Sequence, residues 1–162
     1  MRNSEFFAKR LETELPAFSK VLRAVPADKL DYRPHERNST AGGLAAQMAM
    51  EMDSLTGLFP GGTIDYKPGN APKTIDAIAE VFERSAKRVI ESVRGTSDEQ
   101  WVGPAKFIYD GNVAWESTVD DMAWGFLFDL IHHRGQLSAY LRPMGAKVPA
   151  IYGPSADDPG GA

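Results

Sequence analysis

A chain of 162 residues, 43% hydrophobic and 25% charged, is expected to fold as one globular domain that buries about two-thirds of its unfolded surface. Its net charge of -4 and isoelectric point near 5.4 argue against nucleic acid or an anionic membrane as partner. The absence of cysteine excludes disulfides, thiolate zinc sites and a cysteine nucleophile, and fits a reducing compartment. Met1-Arg2-Asn3-Ser4-Glu5 lacks the apolar core of a signal peptide, and no run of about 18 apolar residues could span a bilayer, so a cytoplasmic protein is expected.

Helical periodicity dominates the chain. From about residue 4 to 23, Phe6, Phe7, Leu11, Leu15, Phe18, Val21 and Leu22 recur at three- and four-residue spacing, with Pro16 a candidate kink. A connector from Pro26 to Asn38 holds a short helical turn around Ala27 to Leu30. Ser39 and Thr40 are suitable caps for a second helix reaching about Leu58, where Pro60-Gly61-Gly62 stops it. The loop Tyr66 to Pro72 leads to a third helix, about Lys73 to Arg94, lined by Ile75, Ile78, Val81, Phe82, Val89, Ile90 and Val93. Residues 95–116 form a long connection with a turn signal at Asp110-Gly111-Asn112; it either holds a short strand pair or crosses over the bundle. A fourth helix runs from about Ser117 to Met144, before Gly145 and a Pro/Gly-rich tail. Four long amphipathic helices predict an all-α four-helix bundle with a long connection before the last helix.

The polar residues on the inner faces carry the chemistry. On the last helix, Val119, Met122, Phe126, Leu130, Leu137 and Leu141 set the core direction; His133 falls inside that stripe, Asp129 at its edge, and His132 points away. On the second helix, Leu44, Met48, Leu55 and Leu58 set the direction, with Glu51 inside and Gln47 at the edge. Two helices therefore each aim an i, i+4 polar pair inward, Gln47/Glu51 and Asp129/His133. A carboxylate in an apolar stripe is costly unless paired, protonated or metal-bound. Two readings follow. In one, Glu51 and His133 form a buried ion pair or hydrogen bond that only fixes helix register. In the other, imidazole nitrogen and carboxylate oxygen hold zinc, nickel, iron or manganese, with positions left for water.

Smaller expectations attach to other residues. His132 is expected at the surface or an interface, and His35, beside Pro34, to be structural or exposed. Arg134 and Arg142 are expected to pair with carboxylates or loop carbonyls, the holding of an anionic substrate being their alternative role. Gly135 is expected to allow close helix contact. Trp124, Leu127, Phe128 and Ile131 leave the last helix apolar nearly all round, so either a second copy or the 95–116 connection must cover it.

The block Leu130-Ile131-His132-His133-Arg134-Gly135-Gln136-Leu137-Ser138-Ala139-Tyr140-Leu141-Arg142 resembles the signature of the DinB/YfiT-like family of metalloenzymes. Val148-Pro149-Ala150-Ile151-Tyr152-Gly153-Pro154-Ser155-Ala156-Asp157 looks like the tail of many members, and Arg33-Pro34-His35 with Ser39-Thr40-Ala41-Gly42-Gly43-Leu44-Ala45 like the start of their second helix. The resemblance implies one bundle domain over residues 1–158, a flexible tail at 159–162, and a homodimer. It also implies a divalent metal held by one histidine of helix two and an H-x-x-x-H pair on the last helix. Here those positions carry Gln47, Asp129 and His133, so two of three histidines are replaced. Asp129 is a competent ligand, Gln47 a weak one, and Glu51 a substitute ligand or general base. The implied activity is that of a metal-dependent transferase or hydrolase acting on a small molecule, with a low-molecular-weight thiol as co-substrate. The alternative is a non-catalytic, stress-associated or ligand-binding bundle with a degenerate metal site.

Overall fold

The computed structural model describes residues 1–67 and 69–160. Four long helices, α1 (Asn3–Arg23), α2 (Ala41–Leu55), α4 (Ile75–Arg94) and α6 (Val119–Leu141), form the body of the molecule. They close a ring: α1 packs on α4, α4 on α2, α2 on α6 and α6 on α1. Two single-turn helices, α3 (Leu58–Gly61) and α5 (Asp98–Trp101), sit in the connections. Phe7, Leu11, Phe18, Met48, Met52, Leu55, Phe82 and Leu137 fill the centre of the ring. Among the described residues, no helix is long and apolar enough to cross a membrane.

The all-α expectation is corrected by a three-stranded sheet of order β1-β2-β3, formed by β1 (Thr63–Tyr66), β2 (Pro104–Tyr109) and β3 (Asn112–Thr118). Strand β1 runs parallel to β2, and β2 antiparallel to β3. Of the two alternatives for residues 95–116, the strand pair is the one formed. Its two-residue loop, Asp110-Gly111, adopts φ of 47° and 81°, the positive values that match a hairpin's twist and favour Gly or Asp. Strand β1 escaped prediction because it is four residues long and its partner lies about 40 residues on. Gly62, at φ 61°, lets the chain pass against β2: a Cβ there would stand 2.7 Å from the Pro104 carbonyl oxygen.

The sheet also moves two helix boundaries. Ser117 and Thr118 pair with Ala105 and Pro104, so α6 starts at Val119 rather than Ser117. Helix α2 ends at Leu55, and the residues expected to continue it form the separate turn α3. Thr74 caps α4 by accepting from the Ala77 N–H at 3.3 Å, which starts that helix at Ile75. Helix α1 continues through Pro16, and a short 3-10 turn occupies Ala27–Lys29. Pro68, in the loop after β1, and Gly161 and Ala162, in the expected tail, lie outside the described residues.

Helix α6 buries Val119, Met122, Leu130, Leu137 and Leu141 as the periodicity predicts, but its buried face is wider on one side. Its buried residues are Val119, Met122, Ala123, Leu127, Leu130, Arg134, Leu137, Tyr140 and Leu141, so Leu127 and Arg134 lie inward where Phe126 and His133 were expected. The cause is a buried ion pair. Arg134, 2% exposed, donates to Glu14 of α1 at 2.7 Å, and to the Tyr152 hydroxyl at 2.6 Å. Tyr152 in turn donates to Glu14 at 2.8 Å. The guanidinium lies 4.7 Å from the Phe18 ring centre and 5.0 Å from that of Tyr152. Burial works to raise the Glu14 pKa, but the hydrogen bonds from Arg134 and Tyr152 outweigh it and hold it below the ordinary value. Arg142 pairs with Asp157 at 2.9 Å, so both arginines meet carboxylates as expected.

Gly135 does not mediate a helix contact: nothing lies within 4 Å of a Cβ built there, since it faces away from the ring. Trp124 packs on Phe6 and Phe7 of α1, with ring centres 5.9 Å and 5.1 Å apart, while Phe128 remains 62% exposed.

Two outcomes are expected in urea denaturation. Arg134→Met leaves Glu14 buried without its main partner and should lower stability by about 3–5 kcal/mol. Gly135→Ala should raise stability by about 1 kcal/mol, because a mid-helix glycine with open space gains only from the added methyl.

Candidate functional site

The site lies where α2 and α6 face each other beneath the sheet. Thr40 caps α2, its hydroxyl accepting from the Gly43 N–H at 3.0 Å, and this sets the register in which Gln47 and Glu51 stack one turn apart. On α6, His133 and Arg134 are consecutive and therefore about 100° apart around the axis. With Arg134 held against α1, His133 projects toward α2.

Gln47 sits between the two helices. Its amide nitrogen donates to Glu51 Oε1 at 2.8 Å and lies 3.0 Å from His133 Nε2. The other ring nitrogen, Nδ1, is 2.9 Å from Gln136 Oε1. A carbonyl oxygen can only accept, so Nδ1 carries a proton, and in the neutral ring Nε2 presents its lone pair to the Gln47 amide of α2. Asp129 Oδ2 lies 3.3 Å from that same Nε2, and Glu51 Oε1 3.9 Å from it. Ligand atoms of Glu51, Asp129 and His133 all lie within 4.8 Å of one another. The Gln47 N–H is the donor among these acceptors, so the point between them is electron-rich and suited to a proton or a cation.

Glu51 carries the strain of this arrangement. Its side chain is 9% exposed, and Oε2 is buried with no hydrogen-bond partner. Burial pushes its pKa up to about 7; the Gln47 hydrogen bond lowers it in part, the Asp129 charge raises it further and His133 offsets some of that. Asp129 is 51% exposed and stands at the rim. Above the cluster, Tyr66 of β1, Phe107 and Tyr109 of β2, and Phe126 of α6 complete a cleft of about 410 Å³. The Tyr66 and Tyr109 rings stack at 5.8 Å, and Phe107 meets Phe126 edge-on at 5.4 Å. The Tyr66 pKa is raised, first by burial and then by the nearby Glu51 charge.

All four residues predicted for the site, Gln47, Glu51, Asp129 and His133, are brought together. His132 is exposed, as is His35, whose Nδ1 accepts from the Arg37 N–H at 3.2 Å. Sequence reasoning missed Gln136, although its i, i+3 spacing from His133 was a usable signal. It also missed Tyr66, Phe107 and Tyr109, which reach the cleft only through strand pairing.

Comparison with known proteins bears on this geometry. Residues 2–160 match the DinB family. The chain belongs to the DinB family. A DinB-like protein from Bacillus cereus ATCC 10987 superimposes with a TM-score of 0.70 at 21% identity, over 90% of this chain and 95% of its own. A second DinB-like structure, YjoA from Bacillus subtilis, gives a TM-score of 0.68 at 15% identity, over 87% and 92%. The uncharacterized protein YrdA of Bacillus subtilis (strain 168) is 22% identical over 158 residues, 95% of this chain and 90% of that one. The fold of this DinB protein is thus shared with solved relatives.

The buried carboxyl of Glu51 makes stability depend on pH. Its folded pKa lies above the ordinary 4.5, so the folded state holds the proton more tightly and stability falls as pH rises from about 4.5 through about 7. Glu51→Gln should abolish that fall and exceed the parent protein in stability at about pH 8, by up to about 3 kcal/mol in urea denaturation of metal-stripped protein.

Proposed function

We propose that this DinB protein binds a divalent ion, zinc, nickel, iron or manganese, through Glu51, Asp129 and His133, and acts as a metal-dependent transferase or hydrolase on a small molecule. The observation that carries this reading is the convergence of three ligand atoms beside a buried, unpartnered carboxylate oxygen, Glu51 Oε2. The donor set fits borderline divalent metals: two carboxylates and one imidazole nitrogen, whose lone pair an ion would take over from the Gln47 amide. Such an ion lowers the pKa of a bound thiol or water enough to give a nucleophile at neutral pH, which would make a low-molecular-weight thiol a suitable co-substrate.

The chain's own residues have separable roles in this reading. Gln136 fixes the His133 tautomer, so Nε2 needs no deprotonation before it ligates. Asp129 supplies negative charge from the rim. Glu51 is either a ligand or, where Asp129 and His133 alone hold the ion, a general base whose burial keeps it within reach of a proton. Gln47 orients Glu51 and His133 and is the weakest ligand of the four. The aromatic wall of Tyr66, Phe107, Tyr109 and Phe126 limits water at the cluster.

One observation favours a second reading. The Gln47 amide already bridges Glu51 and His133, and a cluster satisfied in this way could fix helix register without catalysis. The two readings separate by calorimetry on metal-stripped protein. Stoichiometric binding of zinc, nickel or manganese at micromolar affinity, lost in His133→Ala, is expected; no binding refutes the metal reading. Gln47→His, which replaces a neutral amide by an imidazole, should tighten binding by at least about tenfold. If the cluster is only structural, a Glu51→Ala, His133→Ala double-mutant cycle should show strong coupling in stability and no metal dependence.

A cytoplasmic homodimer is part of the same proposal. It is supported by the apolar strip of Phe6, Trp124 and Phe128, in which the Trp124 and Phe128 rings stack at 5.8 Å and both phenylalanines are exposed. Sedimentation should show a dimer that Phe128→Lys converts to monomer.

A further inference from the structure

The lining of the cleft is unusual in its charge. Glu51 and Asp129 contribute two carboxyl groups, Gln47 an amide, and Tyr66, Phe107, Tyr109 and Phe126 four aromatic rings; no lysine or arginine is among them. A second hollow of about 260 Å³ adjoins it, lined by Phe107, Trp115, Gly125, Phe126 and Asp129. Three residues, Phe107, Phe126 and Asp129, line both, so the two hollows lie side by side and together make a groove. Its lining is acidic at the Glu51 end and apolar at the Trp115 end. Gly125 keeps the apolar end open: a Cβ there would lie 3.6 Å from the Trp115 ring, so a longer side chain would occupy the hollow.

We propose that this groove binds a small organic cation, a protonated or quaternary amine carried on an apolar body, with the ammonium between Glu51, Asp129 and the aromatic rings and the body along Trp115. Three features on different elements agree. Glu51 lines the groove, its Oε1 bonded to Gln47 and its Oε2 without a donor, so its charge is only partly offset by the protein and a nearby ammonium offsets the rest. Aromatic rings attract such cations through their negative faces, and the attraction grows when water is excluded. With no lysine or arginine in the lining, an anionic ligand meets no permanent cation there, while two carboxyl groups repel it. The combined groove has the size of an ordinary small-molecule site.

This inference rests on the reading that the cleft is the functional site, but not on a bound metal. An ion held by the same carboxyl groups would compete with the ammonium, so the two proposals separate experimentally. Metal binding is first titrated without any organic probe. Three probes of matched shape, phenethylammonium, 2-phenylethanol and 3-phenylpropanoate, are then titrated by calorimetry into metal-stripped protein and into protein with excess zinc. The expected result is saturable binding of phenethylammonium, at least tenfold tighter than of either other probe, with the Trp115 indole signal shifting in nitrogen–proton NMR spectra. Asp129→Asn, at an exposed position that does not threaten folding, should weaken the ammonium probe several-fold and leave the alcohol unchanged. Gly125→Leu should weaken it by closing the apolar end. Weaker binding in zinc-saturated protein supports competition at the shared carboxyl groups. Equal or tighter binding of 3-phenylpropanoate or 2-phenylethanol overturns the proposal, as does an absence of saturable ammonium binding to metal-stripped protein. If metal binding fails while phenethylammonium binds selectively, the metal reading falls and this inference stands.

Discussion

Arg134 and Glu14 form an ion pair in the interior of the helical ring, and the orientation of the last helix depends on it. A guanidinium so deeply buried is tolerable only because Glu14 and the Tyr152 hydroxyl accept from it and the Phe18 and Tyr152 rings flank it. The pair joins α1 to α6, and Tyr152 brings in the segment after α6. That segment is itself folded back: Asp157 and Asp158 accept from the Val148 and Ala150 N–H groups at 3.0 Å and 2.8 Å. Because His133 is the next residue along the helix, anchoring Arg134 on one side aims the imidazole at α2 on the other. The ion pair is structural, yet it bears on where the polar cluster forms.

Glu51 presents the opposite case. Arg134 and Glu14 satisfy each other, whereas Glu51 retains a buried oxygen with no donor and a carboxyl group raised toward neutrality. A purely structural position of that kind would be better filled by glutamine or leucine, so the carboxylate is held at the expense of stability. Locally unfavourable polar groups of this sort mark functional sites more often than structural ones. The Gln47 amide relieves part of the strain and leaves the rest available to a ligand.

The sheet converts this polar cluster into a cleft. Strand β1 contributes Tyr66 and β2 contributes Phe107 and Tyr109, and without them the α2–α6 face would lie open to water. The parallel pairing of β1 with β2 joins segments about 40 residues apart, while the hairpin to β3 is local. The architecture therefore divides the labour. Helices hold Gln47, Glu51, Asp129 and His133, and short strands carry the aromatic wall above them.

Much of this was legible in the chain itself. Period-3.6 hydrophobic patterning located four long helices, and their caps and stop signals placed most ends within a few residues. Inward-facing positions on two of those helices were enough to nominate Gln47, Glu51, Asp129 and His133, because a polar residue in an apolar stripe needs a partner across the interface. The β2–β3 hairpin was legible only as one of two alternatives, through its turn signal at Asp110-Gly111-Asn112, and β1 not at all, since four residues leave no clear alternation and its pairing is long-range. Nor was the full width of the buried face of α6. Its apolar residues run nearly all round, so periodicity could not choose between Phe126 and Leu127 or between His133 and Arg134 as the inward positions. That choice was made by the partner of Arg134, Glu14, 120 residues away on α1. The sequence by itself determined which residues could meet; tertiary structure decided which did, because an ion pair and a sheet edge form only between segments that the chain keeps far apart.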